Sequence, residues 1–215
     1  RITPVDETHS AIAALAAVSA RLSPDKRFLS TSPSGPSFSF DPTQVSKGLH
    51  HDTHGPWENR GPFEEWKAHW DQHDALFVSE VGAPSASPVE ILRRYSGGME
   101  LWPPSMDNPF WRYRSPWWIQ WDYLAERYGF DAGREELERY VAVSQEEQAR
   151  TLAYMAASCK RRFPRCGGVI LWMGHDIYPC SSNTAVVDFD GKPKPAVEAL
   201  KEVFRSELEG KREAS

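Results

Sequence analysis

Cysteine is scarce: Cys159, Cys166 and Cys180 are the only three in 215 residues. They are too few and too irregularly spaced for a disulfide framework or a zinc ribbon, and read as buried thiols with at most one incidental bridge. Long apolar runs are missing too; no stretch approaches the length that spans a bilayer, so no membrane partner is implied. Charge of one sign is not in excess. The net charge of -5 gives a polyanion nothing to bind, which sets nucleic acid aside as a partner. Nothing near the N-terminus resembles a signal peptide, but the chain begins at Arg1 without an initiator methionine, so that absence decides little. Secreted, periplasmic, lysosomal and cytoplasmic locations all remain open.

Tryptophan, by contrast, is plentiful. Nine residues in 215 is several times the usual share, and many stand beside Gly, Pro, Asn or His. A tryptophan in a loop is costly unless its face meets a ligand or caps a core. Sugar rings, with apolar C–H faces, are one such ligand.

Along the chain, helix and strand signals alternate. Residues from about Thr8 to Leu22 predict a helix with Ile12, Leu15, Val18 and Leu22 on one stripe. "RFLSTSP", from Arg27 to Pro33, predicts a first short strand, and "KGLHHDTHGPW", from Lys47 to Trp57, a second. "GPFEEWKAHWDQH" predicts an amphipathic helix burying Phe63, Trp66 and Trp70. "ALFVSE" predicts the third strand, followed by a helix from Pro88 to Tyr95 with the proline in its first turn. Residues 97–130, rich in Pro and Trp, read as a long functional excursion. Ser144 and Glu147 predict a capping box opening a helix through Leu152, Met155 and Cys159 to about Phe163. "GGVILWMGHD", from Gly167 to Asp176, predicts the fourth strand, and Lys194 to Leu208 a last helix with Val197, Leu200, Val203 and Phe204 inward.

Apolar strands alternating with helices predict an α/β fold with a parallel sheet covered on both faces. In each unit the polar and aromatic residues gather after the strand's C-terminal end, which is where a (β/α)8 barrel carries its active site. Four units are half of such a barrel of ~250 residues.

The third strand runs into a lone acid, Glu80, followed at once by "VGAP". A carboxylate at a strand end has a helix N-terminus or a cation to stabilise it, or a chemical role. A retaining glycosidase uses one carboxylate as nucleophile and a second as acid and base. "HHDTH" invites a metal reading through His50 and His54, but it lies between a short strand and "GPW", so helical ligand spacing is not expected and no metal is assigned. One or two of these histidines would instead orient Glu80 or bind a hydroxyl. Trp172, closing the fourth strand, is either a core residue or the floor of a sugar site. Trp57, Trp111, Trp117, Trp118 and Trp121 are expected mainly to pack loops, with one or two lining the cleft. The Arg93-Arg94 and Lys160-Arg161-Arg162 runs read as solvated helix faces.

These stretches resemble glycoside hydrolase family 2. "FVSEVGAPS" resembles that family's strand-seven nucleophile segment, and "RFLSTSPSGP" its strand five. "HHDTHGPW" resembles strand six of the β-mannosidase and exo-β-glucosaminidase branches; "GGVILWMGHDIYP" with the later "DFDGKPKP" resembles strand eight and its closing helix. The resemblance implies that residues 1–215 are the C-terminal half of a catalytic (β/α)8 barrel, strands five to eight, acting on carbohydrate by retention and without cofactor. It implies Glu80 as nucleophile and His51, His54, Trp57, Trp172 and Asp176 as substrate-binding residues. The family's acid/base is the Glu of an Asn-Glu pair ending strand four, and that pair has no counterpart ahead of the first helix here; "WENRG" has the order reversed in another unit. The chain is therefore expected to work with a remaining half-barrel or the rest of its own polypeptide. The rival readings are a carbohydrate-binding or scaffolding fragment without catalysis, and a metal hydrolase.

Overall fold

The computed structural model describes residues 5–59 and 61–207. A parallel sheet lies at the centre, built from β1 (Asp52–His54), β2 (Phe77–Val81) and β4 (Val169–Leu171) in the order β1-β2-β4. His54 pairs with Glu80 across β1 and β2, past an irregularity between Thr53 and His54. A two-stranded antiparallel piece, β3 (Ser85–Ala86) with β5 (Ser182–Asn183), sits beyond the mouth of β2.

Helices cover the sheet. α1 (Ser10–Leu22) and α2 (Phe63–Gln72) precede β2; α3 (Val89–Arg94), α4 (Pro109–Arg114), α5 (Trp121–Tyr128) and α6 (Leu137–Arg161) follow it; α7 (Pro195–Arg205) closes the described chain. Among the described residues no helix is long and apolar enough to cross a membrane.

α6 organises the packing. Its 25 residues reach about 37 Å at the α-helical rise, enough to serve two separate cores. Leu152, Met155, Ala156 and Cys159 pack with Trp66 and Trp70 of α2, Val78 and Val81 of β2, and Ala196 and Leu200 of α7. Leu137, Tyr140 and Val141, nearer its start, join Trp102, Phe110, Trp111, Leu124 and Phe130 in an aromatic cluster.

Several expectations change here. The parallel sheet has three strands instead of four: residues 27–33 form no strand. Pro33 and Pro36 lack the N–H a ladder needs, and the segment is tied to the sheet by side chains instead. Ser144 and Glu147 do not open α6 but lie inside it, because Leu137, Tyr140 and Val141 carry the buried stripe further back. The Ser144 hydroxyl accepts from the Ala86 N–H at 2.9 Å, and Glu147 pairs with Arg150 at 2.7 Å. The 97–130 segment contains α4, started by Asn108 accepting from the Phe110 N–H at 3.0 Å, and α5, stopped by Gly129 in the left-handed region at φ 67. Phe204, expected inward, is 56% exposed. Leu208 lies outside the described residues.

α1 forms as expected but buries nothing, with Leu15 57% and Leu22 69% exposed. Among the described residues Ile12 of its apolar stripe is half-buried, and Leu15, Val18 and Leu22 are left exposed.

Candidate functional site

The C-terminal ends of the three parallel strands come together. The Gly55 N–H donates to the Glu80 carbonyl at 2.7 Å, and the Trp172 N–H donates to the Val81 carbonyl at 2.8 Å. These two bonds align His54, Glu80 and Trp172 at one mouth. β2 runs one residue past Glu80, so the carboxylate projects from a paired strand and not from a turn.

Gly55 then reverses the chain. Its φ is 75, and a Cβ there would meet the Trp57 ring at 3.2 Å, so only glycine allows the turn that folds Trp57 back. The Trp57 indole N–H donates to Glu80 Oε1 at 2.7 Å. On the other side, His54 Nδ1 stands 3.7 Å from Glu80 Oε2, with His54 9% and Glu80 22% exposed at the side chain. His54 Nε2 is 2.9 Å from the Ser32 hydroxyl, which donates to the Ser79 hydroxyl at 2.9 Å. One carboxylate oxygen is thus fixed by an indole and the other faces an imidazole.

Asp52, buried in β1, holds the neighbouring segment in place. Its carboxylate accepts from the Ser79 N–H at 3.1 Å and from the Ser34 N–H at 2.9 Å. This brings Ser32 alongside the sheet despite the missing strand.

Two further indoles continue from Trp57, the one that touches the carboxylate. Trp57 meets Trp172 edge-on at 6.3 Å between centroids, and Trp118 meets Trp172 edge-on at 5.8 Å. All three are half-buried, which leaves ring surface for an apolar ligand face. Trp117, next to Trp118, is 75% exposed.

Of the residues singled out from the sequence, the structure gathers Glu80, His54, Trp57 and Trp172. It does not bring His51 to them: that side chain is exposed, with its Cβ against Gly35. Asp176 is 1% exposed and lies in a separate buried network. Its Oδ1 accepts from Asn183 Nδ2 at 3.0 Å, and Lys194 Nζ lies 3.4 Å from its Oδ2. His50 turns away from the mouth, with Nδ1 2.5 Å from Asp74 Oδ1 and Nε2 accepting from the Asp41 N–H at 3.1 Å. Among the described residues no three of His, Cys, Asp and Glu converge as metal ligands would. Ser32 and Asp52 carried no sequence signal of their role, since each acts through contacts between segments distant in the chain; Trp118 was one of five tryptophans of which one or two were expected to line the cleft.

Met173, directly after Trp172, is one of two non-glycine residues at positive φ among the described residues, at 62. This backbone position disfavours an L side chain, and it falls where the chain leaves the sheet beside the site.

At the level of sequence, neither a family model nor a curated protein matches the chain. Among solved structures, a β-D-mannosidase from Dictyoglomus thermophilum superposes with a TM-score of 0.63 at 21% identity, over 89% of this chain and 22% of that one. A GH2 β-galacturonidase from Eisenbergiella tayi bound to galacturonate is 18% identical over 77% of this chain and 25% of its own, at a TM-score of 0.34 too low to carry an argument. The chain spans about a fifth of the mannosidase it matches. The likeness is one of fold: these residues adopt the arrangement of part of that glycosidase.

Proposed function

We propose that this chain is the nucleophile-bearing half of a retaining β-glycosidase barrel of the glycoside hydrolase family 2 type. The observation that carries the reading is Glu80 at the mouth of a parallel sheet, held by the Trp57 N–H and faced by His54. A nucleophilic carboxylate must keep one rotamer, and a short hydrogen bond from an indole serves that need. Oε2 would attack the anomeric carbon while Oε1 stays bound to Trp57. Trp172 and Trp118 would stack on the sugar, and His54, 3.7 Å from Oε2, would orient the carboxylate. His51 and Asp176 would reach substrate only through loops or partners beyond the contacts given above.

The acid/base would come from the rest of the polypeptide, or from a second half-barrel, for which the exposed Leu15, Val18 and Leu22 of α1 and the 52% exposed Ile170 of β4 leave room. The substrate would be a β-mannoside or β-glucosaminide cleaved from the chain end, without metal or cofactor. Hydrolysis of aryl β-glycosides by the complete polypeptide should fall on the order of 10³-fold or more in Glu80→Gln. Wild-type turnover by that variant would overturn the assignment.

The indole-lined mouth also favours a second reading, a carbohydrate-binding scaffold without catalysis. Calorimetric sugar binding unaffected by Glu80→Gln, with no turnover in the complete polypeptide, would select it.

A further inference from the structure

At the end of the sheet opposite Glu80, Cys159 in the last turn of α6 and Cys166 just before β4 are both buried, each 3% exposed. They line one apolar cavity of about 250 Å³ with Ala156, Phe163, Val169 and Phe204. Neither is in a disulfide. Arg162 lies between them in sequence and turns its guanidinium toward them: Nη1 donates to the Ala75 carbonyl at 2.9 Å, and Nη2 lies 3.4 Å from Cys159 Sγ. The Cys166 N–H donates to the Arg162 carbonyl at 3.1 Å, which closes the turn joining the two thiols. Cys166 Sγ sits 3.6 Å from the Gly168 carbonyl at the start of β4.

We propose that Cys159 and Cys166 form a peroxide-reactive dithiol, Cys166 attacking and Cys159 resolving, which closes a disulfide between the end of α6 and the start of β4. Both thiols line one cavity, which gives a small peroxide access to the pair, and the guanidinium beside Cys159 Sγ favours negative charge there.

The assignment of attacker and resolver follows from the polar surroundings. The neighbouring Cys159 thiol and the Arg162 charge hold the Cys166 thiol below its ordinary range. The same neighbour, with burial, pushes Cys159 up. Cys166 is therefore the better nucleophile and Cys159 the proton-bearing partner.

The steps balance. The Cys166 thiolate attacks one oxygen of hydrogen peroxide, the O–O bond breaks, and the departing hydroxide takes a proton, leaving Cys166 as a sulfenic acid and one water. The Cys159 sulfur then attacks the Cys166 sulfur, the S–O bond breaks, and the Cys159 proton leaves with the hydroxyl as a second water. Two thiols lose two electrons to one peroxide.

Cys180 provides an internal control. It donates to Asp176 Oδ1 at 3.2 Å, and burial, followed by the Asp176 charge, pushes it up to about 12. It should stay reduced.

The test is a hydrogen peroxide titration of the intact protein, followed by denaturation, alkylation and tryptic mass mapping. Lys160, Arg161, Arg162 and Arg165 lie between the two cysteines, so a Cys159–Cys166 disulfide appears as two peptides joined until reduction. The expected result is loss of two of the three thiols, the joined pair of peptides, and Cys180 alkylated. In Cys159→Ser, a 1,3-diketone should trap the sulfenic acid on Cys166. Three thiols still alkylated, Cys180 oxidised as fast as the pair, or disulfides formed only between molecules would each overturn the proposal. If Cys159→Ser does not fold, the wild-type map decides alone.

Discussion

Two regions of this molecule are rich in tryptophan and use it in opposite ways. In the aromatic cluster beside the start of α6, Trp111 is fully buried and its indole N–H donates to the Leu101 carbonyl at 2.9 Å. Trp102 donates to the Ala132 carbonyl at 3.1 Å. Their rings meet other rings, and their polar ends satisfy loop backbone that would otherwise be buried unpaired. At the mouth of the sheet, Trp57 donates to a carboxylate and keeps part of its ring uncovered. What separates a packing tryptophan from a site tryptophan here is the partner of its N–H, a backbone carbonyl in one case and an acid in the other.

The contrast predicts different costs. Trp111→Ala should lose about 3–5 kcal/mol of stability, read as a lower urea midpoint; a loss below about 1 kcal/mol would mean that the aromatic cluster is not a core at all.

Histidines divide in the same manner. His73 lies between Phe40 and Trp70, stacked at 4.5 and 4.7 Å, and burial lowers its pKa from 6.5 to about 2. Burial also lowers His69. The unfolded chain takes up these protons near pH 6.5 and the folded chain does not, so the folded state binds fewer protons below that pH. The His73 contribution is therefore full above about pH 6.5 and falls as pH drops toward 2, by up to about 1.4 kcal/mol per pH unit, and His69 acts in the same direction. Urea midpoints at pH 7 and pH 5 measure the slope. His73→Leu should flatten it, and an unchanged slope would show that the ring is not held neutral.

Trp57→Phe sharpens the comparison from the other side. It should cost about 1 kcal/mol or less of stability, since a half-exposed ring and one hydrogen bond are altered, while turnover by the complete polypeptide falls. A loss as large as that of Trp111→Ala would erase the distinction between the two regions. The smallest effect is expected at Met173→Gly, which relieves a left-handed backbone at φ 62 and should raise the urea midpoint by an amount worth under about 1 kcal/mol.

Some of this was legible in the sequence, and the reasons are local. "ALFVSE" announced β2 and its acid because an apolar run ending in a carboxylate needs no distant partner to be recognised. α2 was legible from Trp66 and Trp70, and α3 from Pro88. Which histidine of "HHDTH" faces Glu80 was not legible, because it depends on the pairing irregularity between Thr53 and His54 and on Asp74 capturing His50. The start of α6 was misplaced because Ser144 and Glu147 spell a cap while their side chains serve Ala86 and Arg150. The expected first strand dissolved for a similar reason: Ser32 and Ser34 reach the sheet through His54 and Asp52, and no local pattern encodes such contacts.

The central claim rests on Glu80, and its most direct test is covalent. The complete polypeptide would be incubated with a 2-deoxy-2-fluoro β-glycoside bearing an activated leaving group, then digested and mapped by mass spectrometry. A nucleophile at Glu80 predicts one fluoroglycosyl adduct, on the peptide carrying Glu80 and absent in Glu80→Gln. An adduct on another carboxylate, or an adduct that persists in Glu80→Gln, would contradict it.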